Sequence, residues 1–211
     1  GKSFLALSAV PLRMYFRTRE GLETPDATIS VMPFLTARVN RVRRVAKECG
    51  ITMNVNVLRS ESIGSIHIKS ADPAEPPAIR FNFLSAEMDR TGILHAMRKG
   101  RELMAASPIA EIVGEEIAPG AAYQTDEQLL EWVRNNAETT YHPIGTCKMG
   151  SDTMAVVDDQ LRVHGIKGLR VADASIMPTL TSGNTNAPSI MIGEKCAVMI
   201  LASVAAETKA A

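Results

Sequence analysis

The chain has 211 residues, with 23 Lys plus Arg and 23 Asp plus Glu, so its formal net charge is zero. This balance gives no electrostatic basis for binding nucleic acid or an anionic membrane. The hydrophobic fraction of 45% is sufficient to build a core, and the length fits one large domain or two smaller ones.

Four segments of the first half are predicted strands: residues 28–34, 51–58, 65–69 and 78–83. In the second of these, apolar residues alternate with Thr52, Asn54 and Asn56, which places one face towards a core and one towards water. The segments 51–58 and 65–69 follow each other closely, so we expect them to form an antiparallel hairpin. The turn-rich residues 71–77 end this part of the sheet.

Two helices are predicted after the strands. Ser85 is a candidate cap for a long helix that ends near Ala106 and carries an apolar stripe. Thr125 and Gln128 have the spacing of a capping box, which predicts a helix over about Asp126–Asn136. Strands followed by helices predict an α+β fold, in which an antiparallel sheet carries helices on one face.

The composition changes near residue 139, beyond which Gly, Thr, Asn and Pro are frequent. This part predicts a short strand at about Leu169–Ala172, a loop to Ala187, and a final helix from about Pro188 to Ala202. Proline suits the first turn of a helix, where its missing N–H costs little.

The three cysteines are too far apart for a CxxC pair or for metal-ligand spacing. Their odd number argues against a disulfide framework and favours a reducing compartment, so we expect a cytoplasmic protein without a metal site. No continuous apolar run reaches the roughly 18–20 residues of a membrane span. The opening residues also lack the pattern of a signal peptide, and we expect neither feature.

Two segments carry candidate chemistry: YHPIGTCKMG at residues 141–150, and residues 168–195. His142 precedes Pro and Gly, so it lies in a loop, where a histidine is either an ordinary surface residue or a proton acceptor near neutral pH. Asn184 and Asn186 lie just before the last helix, where Asn commonly caps. A helix start also stabilises a negative group, so both interpretations stay open from the residues alone.

Several long motifs occur here in a fixed order: HPIGTCKMG, then VVD and LRVHG within residues 156–165, then LRVADASIMP, then SGNTNAPSIMIGEK. Together they resemble the C-terminal signature of the glucose–methanol–choline (GMC) oxidoreductases, and most closely the branch of choline and alcohol dehydrogenases. The segment LRSESIGSIHIKSADP, residues 58–73, also resembles this family, with Ser60 in place of the usual proline. The glycine-rich dinucleotide fingerprint of the family has no counterpart in this sequence.

The resemblance implies an FAD-dependent oxidation of an alcohol to a carbonyl, with oxygen or a quinone as the electron acceptor. His142 would take the hydroxyl proton while hydride passes to flavin N5. Asn184, ten residues before Glu194, would hold the substrate oxygen, with Asn186 as the alternative. The resemblance also implies cofactor contacts: Tyr141 beside the flavin ring, Asn186 near its pyrimidine end, and Asp173 and Ala174 at its phosphate–ribityl part.

The resemblance further implies a substrate-binding region over residues 1–138. Residues 139–211 would return to an FAD-binding α/β domain and add its last strand and helix, with the N-terminal FAD-binding portion of the same protein as partner. Two alternatives stay open. The missing fingerprint favours a non-catalytic fragment or a subunit of a split flavoenzyme, and the same fold also serves flavoproteins of the hydroxynitrile-lyase kind without net redox chemistry.

Overall fold

The protein is described by a computed structural model that covers residues 8–39 and 42–210. Contacts divide the chain into two compact units. The first comprises the residues up to Ser62 together with Phe83–Ala137, and the second comprises Ile63–Asn82 together with the residues from Glu138 onward. Residues 63–82 therefore group with the second unit, although they fall within the predicted region 1–138. The functional assignment of the two regions stays a prediction. The first seven residues, part of the opening segment in which no signal peptide is expected, lie outside the described residues.

A three-stranded antiparallel sheet forms the centre of the first unit. Its strands are β1 (Leu12–Phe16), β2 (Ala27–Met32) and β5 (Thr52–Val57), in the order β1-β2-β5. The central strand β2 is buried on both faces, since Ile29 is 1% exposed and its polar neighbour Ser30 is 3% exposed. The burial of Ser30 is compensated because its hydroxyl accepts a hydrogen bond from Arg13 Nε at 3.0 Å.

The predicted hairpin between residues 51–58 and 65–69 is wrong. Strand β5 pairs with β2, whereas β6 (Ser65–His67) pairs with β7 (Ala78–Arg80) in a separate two-stranded ladder. A third ladder joins β3 (Thr36–Val39) to β4 (Val42–Val45). Alternation within a segment predicts a strand but contains no information about its partner, because several neighbours can present a matching apolar face.

Two helices complete the first unit: α1 (Glu87–Met104) and α2 (Asp126–Asn136). Helix α1 lies close to β5, and Gly92 permits this approach, since a Cβ there would lie 3.3 Å from Val57 Cγ2. The two helices share an apolar core formed by Leu94, Met97, Leu129 and Val133. An antiparallel sheet and two helices are thus present, with α1 against β5, and the predicted bounds of α2 are confirmed.

The two helix starts differ in how they are capped. Thr125 and Gln128 form the predicted capping box, with Gln128 N donating to Thr125 Oγ1 at 3.3 Å and Thr125 N donating to Gln128 Oε1 at 3.0 Å. Ser85 does not cap α1, so that prediction is wrong. The cap residue is Ala86, and its N–H donates to the hydroxyl of Ser62, a residue distant in sequence, at 3.1 Å.

The second unit comprises the β6–β7 ladder, one long helix and a set of loops. Helix α3 (Asn186–Ala210) contributes Ile192 and Cys196 to a core that also contains Val157, Leu161, Ile176 and Met177. The predicted strand Leu169–Ala172 is wrong, because Arg170 forms only an isolated bridge with Arg162. Helix α3 also extends beyond the predicted Pro188–Ala202 at both ends. It begins at Asn186, directly after Thr185, and it ends at Ala210.

Helix α3 departs from the expectation that no segment is long and apolar enough to span a membrane. By length and composition alone Asn186–Ala206 passes that test, although the stretch includes Glu194 and Lys195. These two charged residues interrupt the apolar sequence of the helix, so the sequence contains no continuous apolar run of that length. A helix that packs against other protein passes the same test, and α3 uses one part of its surface for the core described above.

Asp89 is a buried charge that links α1 to the loop after β5. It is 3% exposed, and its carboxylate accepts hydrogen bonds from the backbone N–H groups of Glu61 and Ser62, both at 2.9 Å. These two residues belong to the LRSES segment that resembles the family motif. The geometry therefore gives this motif a structural role, which is to hold the loop on the first turn of α1.

We expect Asp89→Ala to lower the free energy of unfolding by about 1–3 kcal/mol, because the backbone N–H groups of Glu61 and Ser62 lose their carboxylate acceptor. Urea unfolding followed by circular dichroism measures the change. Glu87→Ala is the matched control, since Glu87 is an exposed acid in the same first turn, and it should change stability by less than about 0.5 kcal/mol. Equal effects of the two substitutions would contradict this role of Asp89.

Candidate active site

Backbone hydrogen bonds bring the two motif segments of the second unit together. Cys147 N donates to Ser175 O at 3.0 Å, and Met149 N donates to Ile176 O at 2.8 Å. Gly145 adopts a left-handed φ of 83°, and a Cβ there would lie 3.4 Å from the carbonyl oxygen of Met177. A glycine is favoured at this position of the HPIGT motif, because other residues are strained in that conformation.

His142 lies against the residues that precede α3. Its Nδ1 is 2.9 Å from Thr185 Oγ1, and its Nε2 is 2.6 Å from Asn184 Nδ2. These partners are 43 and 42 residues away along the chain, so the contact is made by the tertiary fold. The imidazole is half-buried, Asn184 is exposed, and Thr185 is buried at 6% exposure. The fold thus places an imidazole and an amide side by side near the surface of the unit.

Of the predicted cofactor contacts, Tyr141 and Asn186 lie next to this pair in sequence. Tyr141 is 78% exposed and has a left-handed φ of 60°, while Asn186 is the exposed first residue of α3. Asp173 caps the 3₁₀ turn Ala174–Ile176 by accepting from Ser175 N at 2.7 Å. Ala174 packs against the core of the unit. Contacts of these four residues with a flavin stay predictions.

His142, Asn184 and Thr185 form a cluster, which we call the His142 cluster. Sequence reasoning missed Thr185, its third member. The one signal for it is the residue three positions later, Pro188, which has no N–H for a capping hydroxyl. A threonine before a helix is otherwise assigned to capping, and nothing local indicates a contact with a histidine 43 residues away.

The other histidines and the cysteines lie apart from this cluster. His67 is exposed on β6, His95 is exposed on α1, and His164 places Nε2 3.1 Å from Gly150 O. Cys147 is half-buried with a free thiol, and its predicted role as a packed residue stays a prediction. Among the described residues, no group of three or more His, Cys, Asp and Glu is arranged to hold a metal ion.

Asp158 organises the turn between the two motif segments. Partial burial raises the pKa of its carboxyl, but hydrogen bonds from the backbone N–H and guanidinium of Arg162 and from the N–H of Gln160 outweigh this effect. The pKa of Asp158 is therefore held below its ordinary value. This ionised carboxylate closes the turn that leads into Leu161, a residue of the core.

A family profile described as GMC oxidoreductase, for the C-terminal part of these proteins, matches residues 60–193. The match covers more than half of the chain and includes all three residues of the His142 cluster. The chain belongs to the GMC oxidoreductase family.

Within this family, the chain is similar to the oxygen-dependent choline dehydrogenase of Escherichia coli O127:H6, with 50% identity over 186 residues. That alignment covers 88% of this chain and 33% of the relative, so the chain spans about a third of the length of the curated relatives it matches.

Solved structures of the family have the same fold. Pyridoxine 4-oxidase from Mesorbium loti matches with a TM-score of 0.78 and 25% identity, covering 88% of this chain and 36% of that one. A formate oxidase of Aspergillus oryzae, studied for FAD modification, matches with a TM-score of 0.77 and 28% identity, covering 86% and 32%. The mixed sheet-and-helix architecture is therefore that of GMC oxidoreductases.

The depressed pKa of Asp158 predicts a pH dependence of stability. The unfolded carboxyl titrates at about 3.9, so the contribution of Asp158 is present above that pH and is lost as the pH falls through the lower folded value. We expect Asp158→Asn to be less stable than the unmodified protein at pH 7, and the difference to shrink below about pH 4. Urea unfolding at several pH values measures this, and Asp159→Asn, at the exposed neighbour, should show no such change.

Proposed function

We propose that the complete protein oxidises an alcohol to a carbonyl with FAD as the cofactor, His142 as the general base and Asn184 as the residue that orients the substrate oxygen. The observation that carries this proposal is the 2.6 Å contact between His142 Nε2 and Asn184 Nδ2. An acceptor for the hydroxyl proton and a donor for the substrate oxygen are thereby held at one point. An alcohol oxidation of this kind needs both groups.

The chemistry of the neighbouring groups fits a flavin. Helix α3 begins directly after Asn184 and Thr185, and the first N–H groups of a helix have no partner within it. Such a helix start favours negative charge, which a reduced flavin carries at its pyrimidine end. We propose that Asn186 and the exposed Tyr141 contact the ring system, with Asp173 and Ala174 nearer to the ribityl–phosphate part. When bound, FAD would supply an acceptor for the hydride at N5.

The proton and the hydride leave the alcohol separately. We propose that His142 removes the hydroxyl proton with Nε2 while the carbinol carbon loses its hydride, so that the C–O bond becomes a carbonyl. The amide of Asn184 holds the oxygen in line during this step, an effect of orientation that contributes to the rate without new covalent chemistry.

The exposed surface of α3 supports a partner for this chain. Among the described residues of the helix, five large apolar side chains are more than half exposed: Ile190, Met191, Val198, Leu201 and Val204. An exposed apolar surface of this kind marks an interface. Since the chain spans about a third of its curated relatives, we propose that this surface packs against an FAD-binding portion corresponding to the remaining part of those relatives.

The first test is an absorption spectrum of the purified protein, followed by addition of an alcohol without oxygen. Choline is the first alcohol to try, because a relative named choline dehydrogenase is 50% identical over 186 residues. A bound flavin that bleaches supports the proposal, and later addition of oxygen or a quinone identifies the acceptor. A bound flavin that no alcohol bleaches favours a lyase without net redox chemistry. A colourless protein favours a non-catalytic fragment or subunit.

We expect His142→Gln to slow flavin reduction by roughly 100- to 10,000-fold, the usual contribution of a general base. Stopped-flow absorbance without oxygen measures the rate, and flavin content should stay unchanged because the substitution is close in size. His67→Gln is the control, since His67 is exposed on β6, outside the cluster, and its rate should match that of the unmodified protein. A normal rate in His142→Gln would refute its role as base.

A further inference from the structure

We propose that Thr185 is a positioning residue that keeps the proton of His142 on Nδ1 and leaves Nε2 as the proton acceptor. The proposal concerns the proton arrangement of this chain, and its catalytic consequence rests on the proposed function. It adds a third residue to the cluster, one that touches neither the substrate nor the cofactor in the proposed reaction.

The two contacts of the imidazole define its tautomer. Asn184 approaches Nε2 with its amide nitrogen, at 2.6 Å, and an amide nitrogen only donates hydrogen bonds. With the amide in this orientation, Nε2 accepts and carries no proton. A neutral imidazole then has its proton on Nδ1, which donates to Thr185 Oγ1 at 2.9 Å. The partner of one ring nitrogen thus determines the state of the other, as in other histidine bases.

The sequence after Thr185 reduces the competition for its hydroxyl. Thr185 is the cap of α3, since Ser189 N donates to its carbonyl oxygen at 3.0 Å in the first helical turn. A capping hydroxyl accepts from the N–H of the second or third helical residue. In α3 the third is Pro188, which has no N–H. One of the two usual capping donors is therefore missing, and the hydroxyl lies 2.9 Å from His142 Nδ1.

The backbone of Thr185 is also held in place. Ser189 donates to its carbonyl oxygen twice, from the backbone N–H at 3.0 Å and from the hydroxyl at 2.7 Å. The residue is 6% exposed, so water has little access to compete for the hydroxyl. A buried, doubly anchored acceptor can fix the orientation of the imidazole, whereas an exposed one would exchange with solvent.

The first experiment determines the tautomer by NMR of the 211-residue chain labelled with ¹⁵N-histidine, in alkaline buffer, where an imidazole is ordinarily neutral. The two ring nitrogens have clearly different shifts when protonated and unprotonated. We expect the Nδ1–H form for His142 in the unmodified chain and in Thr185→Ser, and a loss of that preference in Thr185→Val. An Nε2–H form in the unmodified chain, or an unchanged preference in Thr185→Val, overturns the proposal.

Two further variants control for effects of Thr185→Val on the fold of the chain. Thr208→Val makes the same change on the exposed end of α3, where the hydroxyl donates to Val204 O, and should leave the His142 signals unchanged. Should Thr185→Val fail to fold, Thr185→Ala removes the same acceptor with less bulk. Loss of the Nδ1–H preference in Thr185→Ala supports the proposal, and its retention overturns it.

The second experiment measures flavin reduction in the flavin-loaded protein. We expect Thr185→Val to lower kcat by about 10- to 100-fold, the size typical of a misplaced catalytic group, with KM changed less than about threefold and Thr185→Ser close to normal. Full kcat in Thr185→Val would overturn the catalytic part. If no flavin binds, the proposed function fails but the NMR result still decides whether Thr185 sets the tautomer.

Discussion

The packing of α3 in the second unit is the constraint on which the candidate site depends. Ile192 and Cys196 lie in the core beside Val157 and Ile176, so the first half of the helix has a fixed position in that unit. A helix is a stiff element, and fixing its middle also fixes its first turn. Asn184 and Thr185 are attached directly to that turn, and their distances from His142 follow from the packing several residues away.

His142 is in a loop, yet the loop is not free to move independently. The hydrogen bonds from Cys147 and Met149 to the segment around Ser175 attach it to the same core. Gly145 provides the left-handed conformation that lets the backbone make this approach. The cluster therefore consists of two loops held on one core, an arrangement that can position functional side chains without requiring them to lie within a helix or strand.

Two charges illustrate how the fold gives motif residues different tasks. Asp89 uses both carboxylate oxygens to hold the loop of the LRSES motif, and Asp158 closes the turn between the two segments of the site. Asp158 belongs to the VVD motif itself, whereas Asp89 lies outside the LRSES motif and holds it in place. The apolar face of α3 has another task in the proposal, which is to meet a further part of the protein. A family motif thus includes residues that fold the protein as well as residues that react.

Local signals in the sequence were sufficient for several elements. The capping box at Thr125 gave the bounds of α2, alternation gave β5, and the long motifs gave the GMC family. These features depend on neighbours within a few residues, or on a fixed order of motifs. The roles of His142 and Asn184 stay predictions, but their residue types and positions were also visible in the sequence.

Tertiary structure decided what depends on distant partners. It paired β5 with β2 instead of β6, reduced Leu169–Ala172 to an isolated bridge, and gave the N–H of Ala86, the cap of α1, the remote Ser62 hydroxyl as its acceptor. It also brought Thr185 to His142 across 43 residues. The physical reason is common to all four cases: hydrogen-bonding capacity is local and can be read from residue type, whereas the choice of partner depends on which segments the hydrophobic core brings together.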